Sequence, residues 1–539
     1  MLGVQDWLRR QRTERAKWGV LLFSLAVSAA LLAIATRTSP LYPFMDGVDQ
    51  NCFLTVGKGM MNGLVPYRDL VEQKGPLLYL LHGLAWLVSP DSWLGVWLLE
   101  VLSLGLYLWW SWRVWGLYGA RPWSAAFLPV LGALIVLPAP FVSGDNVEEF
   151  CLPLMAAGLY DLLRLLRDYP GNGGRMPARR LVLHGALAGC VLWMKFTMLG
   201  FWFIWMALVF FGLVLRRDWR HALTGCLWFL AGMLGLATLP WVVYFGVNGA
   251  IGDWLYIYFY CNIFAYSTEA LTLAGRLAYV WRVAAHAAVS QWGLSLSAGA
   301  GWLWLLLSRR ALPHPFAKVG FTLVLPVTLL GLFGGGMAIS YYHLFAYGFA
   351  LLGFLPFSQA LGRLGTWVNG HSRALSSAAG LALSAAVVAG TTAFTLHASR
   401  NAPYIGYDRD ALPQYQFAQV ICDLTGTPPG QTPDATLLNY GFLDGGFYMA
   451  ADILPSTPYF CRLNLRDDRF PAMADEQDRL LREGEVDFAV LRAGSGTEPE
   501  AVAASAPLER YACVAQADEG YLLPGQKPAF TYFLFHRVS

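Results

Sequence analysis

Charge is scarce in this sequence. Only 14% of its 539 residues are Asp, Glu, Lys or Arg, against about 25% in soluble globular proteins. Apolar residues make up 56%, aromatics 15%, and mean hydropathy is +0.45. Such a chain cannot cover itself with polar surface, which excludes a soluble multidomain enzyme. It is too apolar for disorder, and no basic stripe forms a nucleic-acid groove. The eight cysteines contain no CxxC and no metal-ligand spacing, so zinc is not indicated. A Gly-rich phosphate loop is missing, and so are internal repeats and low-complexity tracts. No Asn-x-Ser/Thr sequon occurs, which fits a bacterial cell envelope. What is present is one hydrophobic segment after another, the mark of a polytopic membrane protein.

The little charge there is lies unevenly. Residues 400–539 hold 11 basic and 19 acidic side chains of the chain's 38 and 35, a net of −8; residues 1–399 hold the other 27 and 16, a net of +11. A basic apolar body therefore precedes an acidic, soluble-looking tail. Spanning helices need about 20 mostly apolar residues, and eleven segments qualify. They lie near 18–35, 93–112, 123–141, 147–166, 183–200, 201–215, 222–246, 283–308, 319–335, 341–360 and 375–397. The split at 200/201 is the least marked. Arg9, Arg10, Arg12, Arg15 and Lys17 precede the first segment, as in a signal peptide. The run is long and lacks a convincing cleavage site, so it reads as a retained span.

Basic residues then recur on alternate loops: Arg113 with Arg121; Arg164, Arg167, Arg175, Arg179 and Arg180; Arg216, Arg217 and Arg220; Arg309, Arg310 and Lys318; Arg363 and Arg373. The bias of Lys and Arg toward the cytoplasm, with an odd number of spans, predicts a cytoplasmic N-terminus and a C-terminal tail on the outer face. The expected division is a membrane body over 1–398, including a first outer loop at 37–92, and an extracytoplasmic α/β domain over 399–539. Within that tail ATLLNY, VDFAVLR and FTYFLFH read as strands and QDRLLREG as a helix with a Gly stop. One pair among Cys422, Cys461 and Cys513 is available for a bridge in an oxidising compartment. In the first outer loop, 77–88 is apolar but too short to span and fits an interfacial or re-entrant helix. A second long outer stretch, 247–282, carries Trp254, Tyr256, Tyr258, Tyr260 and Tyr266, read first as an aromatic interface belt.

Ionisable groups near a membrane are costly unless used or solvated, and the outward ones cluster. The first loop carries Asp46 and Asp49, then Tyr67-Arg68-Asp69, then Lys74. The next outer loop carries Asn146, Glu148 and Glu149, and Lys195 lies at the outer end of the fifth span. A carboxylate can deprotonate an acceptor hydroxyl while a cation holds a phosphate leaving group. Asp49 with Lys74 supplies that minimum. Competing readings stand beside each residue. Asp46 is a rival base that also reads as a turn residue. Lys74 reads equally as a lysine snorkelling to headgroups, and Arg68–Asp69 as a local structural pair. Glu148 and Glu149 suit a helix N-terminus, and Lys195 is a candidate partner for one of them. Tyr342 and His343, with Tyr341, suit donor contact or, for the tyrosines, interfacial anchoring.

These motifs resemble those of the GT-C membrane glycosyltransferases, in the branch of protein mannosyltransferases and lipid A aminoarabinose transferases. The resemblance rests on Gly47-Val48-Asp49-Gln50, the small-residue segment Gly57–Gly63, and Lys74-Gly75-Pro76-Leu77-Leu78-Tyr79. Pro66–Asp69 and Asn146–Phe150 are similar to a form common among bacterial members. It covers residues 1–400, the tail only by its position. It implies a GT-C-like fold and inverting transfer of a sugar from a polyprenyl-phosphate donor to a glycan, lipid or protein acceptor at the outer face of a bacterial inner membrane. Carried over by position, Asp49 binds or deprotonates the acceptor, Lys74 contacts donor phosphate, and Glu148 and Glu149 occupy the second acidic position. Lys195, Tyr342 and His343 join Lys74 as donor-phosphate candidates; Asn146, Tyr67, Arg68 and Asp69 join the glutamates on the acceptor or sugar side. No cofactor is assigned. A divalent cation is left open, weakened by Gln50 where the family often has a second acid; Lys-Gly-Pro replacing Lys-Pro-Pro mainly loosens the loop. A transporter or lipid-linked-sugar flippase is the alternative, but charges at outer helix ends and the lack of matching halves argue against it.

Overall fold

The hydrophobic runs become helices, and the chain is mostly helical with one small sheet near its C-terminus. The computed structural model describes residues 2–119, 122–266, 272–428 and 430–538. Arg121 and residues 267–271 of the second long stretch lie outside the described residues, as do the side chains of Arg9, Arg10, Arg12, Arg15 and Arg373.

Seven described helices are long and apolar enough to cross a membrane: Ala16–Ala35, Leu94–Gly116, Ala178–Val214, Trp219–Val247, Pro315–Phe333, Ser340–His371 and Ala374–Ala398. The number is below the eleven expected, for identifiable reasons. The segment at 147–166 is helical (Val147–Arg167) but carries Glu148, Glu149, Asp161, Arg164 and Arg167. The segment at 123–141 yields only a short apolar helix, Trp123–Val136. That at 283–308 is broken at Gln291 into Leu273–Ser290 and Trp292–Leu307. The pair meeting at 200/201 is one apolar stretch whose real interruption is a 3-10 turn at Phe196–Met198, after Lys195.

The chain divides into two compact units. The first comprises Met1–Thr36, Leu98–Leu239 and Glu269–Ala402. Its helices close on small residues, as expected where apolar packing against lipid gives no net drive. A Cβ on Gly185 would sit 1.9 Å from the carbonyl oxygen of Phe229, and one on Gly232 equally close to that of Val182.

The second unit comprises Arg37–Trp97, Pro240–Thr268 and Pro403–Ser539. Its sheet has the order β1 (Leu437–Asn439), β2 (Phe488–Gly494), β4 (Phe530–Arg537), β3 (Tyr511–Asp518). β1 and β2 are parallel, joined through the helix Ala472–Glu483, and the other pairs are antiparallel. That helix ends at Gly484 with φ +70°, the left-handed stop expected from the sequence. Leu438, Leu481, Ala489, Phe533 and Phe535 form the core between helix and sheet. The apolar 77–88 is a 13-residue helix, Pro76–Val88, too short to span. It crosses the helix Val48–Met61 at two glycines: a Cβ on Gly57 would lie 2.5 Å from the Gly83 nitrogen, and one on Gly83 2.7 Å from the Gly57 oxygen.

Candidate active site

In the second unit, Asp49 is half-buried in the first turn of Val48–Met61, where a carboxylate favours the helix dipole. The preceding loop is fixed by Asn51, whose Nδ2 donates to the carbonyls of Met45 (2.9 Å) and Gly47 (2.8 Å). Asp46 is placed differently. Arg37 NH1 donates to both of its oxygens at 2.6 and 2.5 Å, and the guanidinium lies over the rings of Tyr521 (4.2 Å) and Tyr404 (4.9 Å). Its carboxylate is committed to an arginine that is itself held by aromatic rings.

Lys74 stands just before Gly75, the N-cap of Pro76–Val88, with Pro76 at the first helical position. Its ammonium is buried, 3.7 Å from Glu72 Oε1 and 5.3 Å from the centre of the Phe53 ring. Its backbone N–H donates to Glu72 Oε2 at 2.8 Å, and its carbonyl accepts from the Tyr67 hydroxyl at 2.7 Å. Tyr79 hydroxyl donates to the same Glu72 oxygen and sits 3.0 Å from the Lys74 carbonyl. Gln73 carbonyl accepts from Asn262 at 2.7 Å, which ties in the wound stretch Tyr256–Ala265. The fixed backbone and the ammonium, paired with the buried Glu72 carboxylate, make a polar corner just before the N-terminus of Pro76–Val88.

Tyr67 adopts φ +72°, a left-handed conformation unusual for an aromatic residue. It is stabilised by its N–H bond to the Leu70 carbonyl (2.8 Å) and by ring contacts with Tyr79 and Phe245. Arg68 grips its neighbour Asp69 through two 2.8 Å bonds and donates to the Asn248 carbonyl at 2.7 Å; Asp69 also accepts from the Val65 N–H at 2.7 Å. The Arg68 guanidinium holds the Asp69 carboxyl below the usual carboxylate range. This is the geometry of a loop clasp.

Of the five aromatics in the second long stretch, Trp254 and Tyr258 are buried, whereas Tyr256 and Tyr260 stack exposed, with ring centres 5.1 Å apart.

The first unit holds a separate polar group. Glu148, fully buried, accepts from the Lys195 ammonium, and that ammonium lies 3.2 Å from the Tyr342 ring centre and 5.2 Å from that of Tyr341. Asn146, the N-cap residue of Val147–Arg167, donates to the Phe141 carbonyl at 2.8 Å. Glu149 is buried in the same turn, near Glu100 and Asp145. Glu100 accepts from Thr36 (3.2 Å) and from the Asp145 N–H (2.8 Å). The approach to the motif is strained: Val142 and Asp145 both have φ +55° around Gly144 at φ +92°. A Cβ at Gly144 would lie 2.0 Å from Thr36 Oγ1 and 2.5 Å from Glu100 Oε1. His343 packs its ring on Phe333 and Tyr347.

The structure thus collects Asp49, Lys74, Tyr67, Arg68 and Asp69 in one unit, and Glu148, Glu149, Asn146, Lys195, Tyr342 and His343 in the other. Sequence reading missed Glu72 and Tyr79 as the frame of Lys74, and it missed Glu100. Glu100 left a signal, being a lone carboxylate inside an apolar run; the role of Tyr79 left none. Among the described residues no group of three or more His, Cys, Asp or Glu side chains is arranged to hold a metal ion.

No protein-family model and no curated protein matches this sequence. Solved structures do. ArnT from Cupriavidus metallidurans bound to undecaprenyl phosphate superposes with a TM-score of 0.55 at 14% identity, covering 96% of this chain and 97% of that one. The same protein in the apo state gives 0.54 at 14% identity, covering 99% and 98%. At that identity the likeness establishes the fold. This is a multi-pass helical protein of the ArnT architecture with a small C-terminal sheet, as the resemblance implied.

Proposed function

We propose that this chain is an inverting GT-C glycosyltransferase that takes its sugar from a polyprenyl-phosphate donor at the outer face of a bacterial inner membrane. In this reading the N-terminus is cytoplasmic and the tail, 399–539, lies outside. The observation that carries it is the buried Lys74 ammonium, paired with Glu72, in a residue that leads into a helix N-terminus on a backbone fixed by Glu72, Tyr67 and Tyr79. Such a corner suits a lipid-linked phosphate, and the fold it shares with a protein crystallised with undecaprenyl phosphate supports that ligand class. Asp49 is the base: it takes the acceptor's proton as the acceptor oxygen bonds to the sugar's anomeric carbon. The bond from that carbon to the phosphate oxygen breaks, and the carrier phosphate leaves toward Lys74. Asp46, neutralised by Arg37, is the weaker base, and Arg68–Asp69 shapes the loop. Glu148 and Lys195 form a second polar group, in which Glu148 is proposed for the acceptor or sugar and Lys195, with Tyr342 and His343, for the donor phosphate.

The test uses membranes containing the full chain, a radiolabelled polyprenyl-phosphate sugar and an envelope extract as acceptor. Asp49→Asn should lower transfer by about a hundredfold or more with expression intact, since a general base contributes roughly 10²–10⁴. Lys74→Met should raise the donor KM about tenfold or more, a lost charge-assisted contact being worth about 1.5–3 kcal/mol. Full transfer by both variants would discard the assignment.

A further inference from the structure

Two thiols from distant parts of the chain face each other inside the second unit. Cys52 lies one turn after Asp49 in the helix Val48–Met61, and Cys461 lies in the tail, 409 residues on; their sulfurs are 3.7 Å apart. Both residues are buried, at 0% and 1% exposure. The surrounding backbone is anchored on both sides. Three residues beyond Cys52, Thr55 donates to Asp444 at 2.6 Å, and the helix is pinned by the Gly57–Gly83 crossing. Beside Cys461, the Phe460 carbonyl accepts from the Tyr448 hydroxyl (2.8 Å) and the Arg462 N–H donates to the Phe442 carbonyl (2.8 Å).

We infer that Cys52 and Cys461 are an oxidation site and form a disulfide that clamps the Asp49 helix to the tail. The inference rests on the reading that this unit faces the oxidising side of the membrane, because the cytosol keeps such thiols reduced. Closing the bridge requires the sulfurs to move from 3.7 Å to about 2.05 Å, within reach of rotamer changes on two short side chains. The thiols lose two protons and two electrons, which pass to the disulfide of a thiol–disulfide exchange protein. One thiolate attacks that disulfide to give a mixed disulfide; the second thiolate then displaces the carrier, which leaves as a dithiol. Burial pushes both thiols above their ordinary range, and thiolates are the attacking species. Exchange therefore precedes docking of the tail on the helix, and the finished bridge is shielded from reductants.

The experiment is a thiol count on the full chain, expressed with its native topology, acid-quenched and denatured. A maleimide–polyethylene glycol reagent should label two fewer cysteines before reduction than after it, out of eight. Mass spectrometry of the unreduced digest should recover a peptide joining Cys52 to Cys461. In a Cys52→Ala variant, reduction should no longer change the label count; if that variant does not accumulate, the wild-type digest alone decides. A C-terminal topology reporter runs in parallel. Free Cys52 and Cys461 with the tail outside would overturn the disulfide and leave the glycosyltransferase reading standing. A tail found inside would overturn both.

Discussion

Asp444 shows how much one side chain can hold. It is fully buried and accepts from Thr55 Oγ1 at 2.6 Å, Asn439 Nδ2 at 2.9 Å and the Gly446 N–H at 2.8 Å. Burial pushes its carboxyl up to about 6 even though all three bonds oppose the rise. The consequence for stability has a definite sign. A carboxyl that binds its proton more tightly when folded stabilises the fold at low pH, and that contribution is lost as pH climbs from about 4 to about 6. Over that window the loss is about 2–3 kcal/mol. Thermal melts in detergent should therefore show a component of stability that falls between pH 4 and 6 and is flat above. Asp444→Asn, whatever it does to the absolute melting point, should remove that component. An identical pH slope in the variant would mean that other groups set it. The nearby Lys58–Asp452 pair, 2.5 Å apart, complements it: a buried ammonium reaching a half-exposed carboxylate on the same tail.

Among elements, the crossing of Val48–Met61 with Pro76–Val88 matters most, since one helix presents Asp49 and the other begins just after Lys74. The crossing has no room for a side chain. A Cβ on Gly57 meets backbone atoms, the Gly83 nitrogen at 2.5 Å and the Tyr79 oxygen at 2.7 Å, whereas one on Gly59 meets side-chain atoms, the methyl ends of Leu70 at 2.4 Å and Leu64 at 3.3 Å. Gly57→Val should thus force the helices apart at about 1–3 kcal/mol, and depress transfer at least tenfold. Gly59→Ala should be tolerated. Both effects are read from detergent melting and the transfer assay, and equal behaviour of the two variants would refute the argument. The sequence announced this region by its small residues, its Lys-Gly-Pro turn and the shortness of 77–88, all local signals. Other elements were less legible. Hydropathy located 183–215 as apolar but could not find the 3-10 turn that follows Lys195, because a turn inside an apolar stretch changes no composition. β3, rich in alanine, lacks the β-branched and aromatic run that marked the other strands. Glu72 and Tyr79 lie close to Lys74 in sequence, but their bonds to it depend on how the side chains are placed around the start of Pro76–Val88, which composition and hydropathy do not report.

The whole molecule raises the question of why a multi-pass helical chain carries a tail of about 140 residues. Within the second unit the tail supplies partners that the first-loop segment lacks on its own. Thr55 and Lys58 bond to Asp444 and Asp452, the Val71 N–H donates to the Pro458 carbonyl at 2.9 Å, and Phe44 and Tyr521 exchange bonds. Val48–Met61 buries Gln50, Asn51 and Lys58 as well as its apolar residues. A helix that polar has little reason to stay folded without those partners, since 14 residues are marginal in water. A chain ending at residue 402 keeps the apolar helices of the first unit and should still insert. On the proposed topology and function, its loop should then be cut by protease added to the outer face, at sites within 37–92 that the full chain protects, and transfer should fall to background. Restored protection on supplying 403–539 as a separate polypeptide would show that the tail acts as a scaffold for the Asp49–Lys74 loop. A truncated chain whose loop stays protected and still transfers sugar would show instead that the loop folds on the body alone.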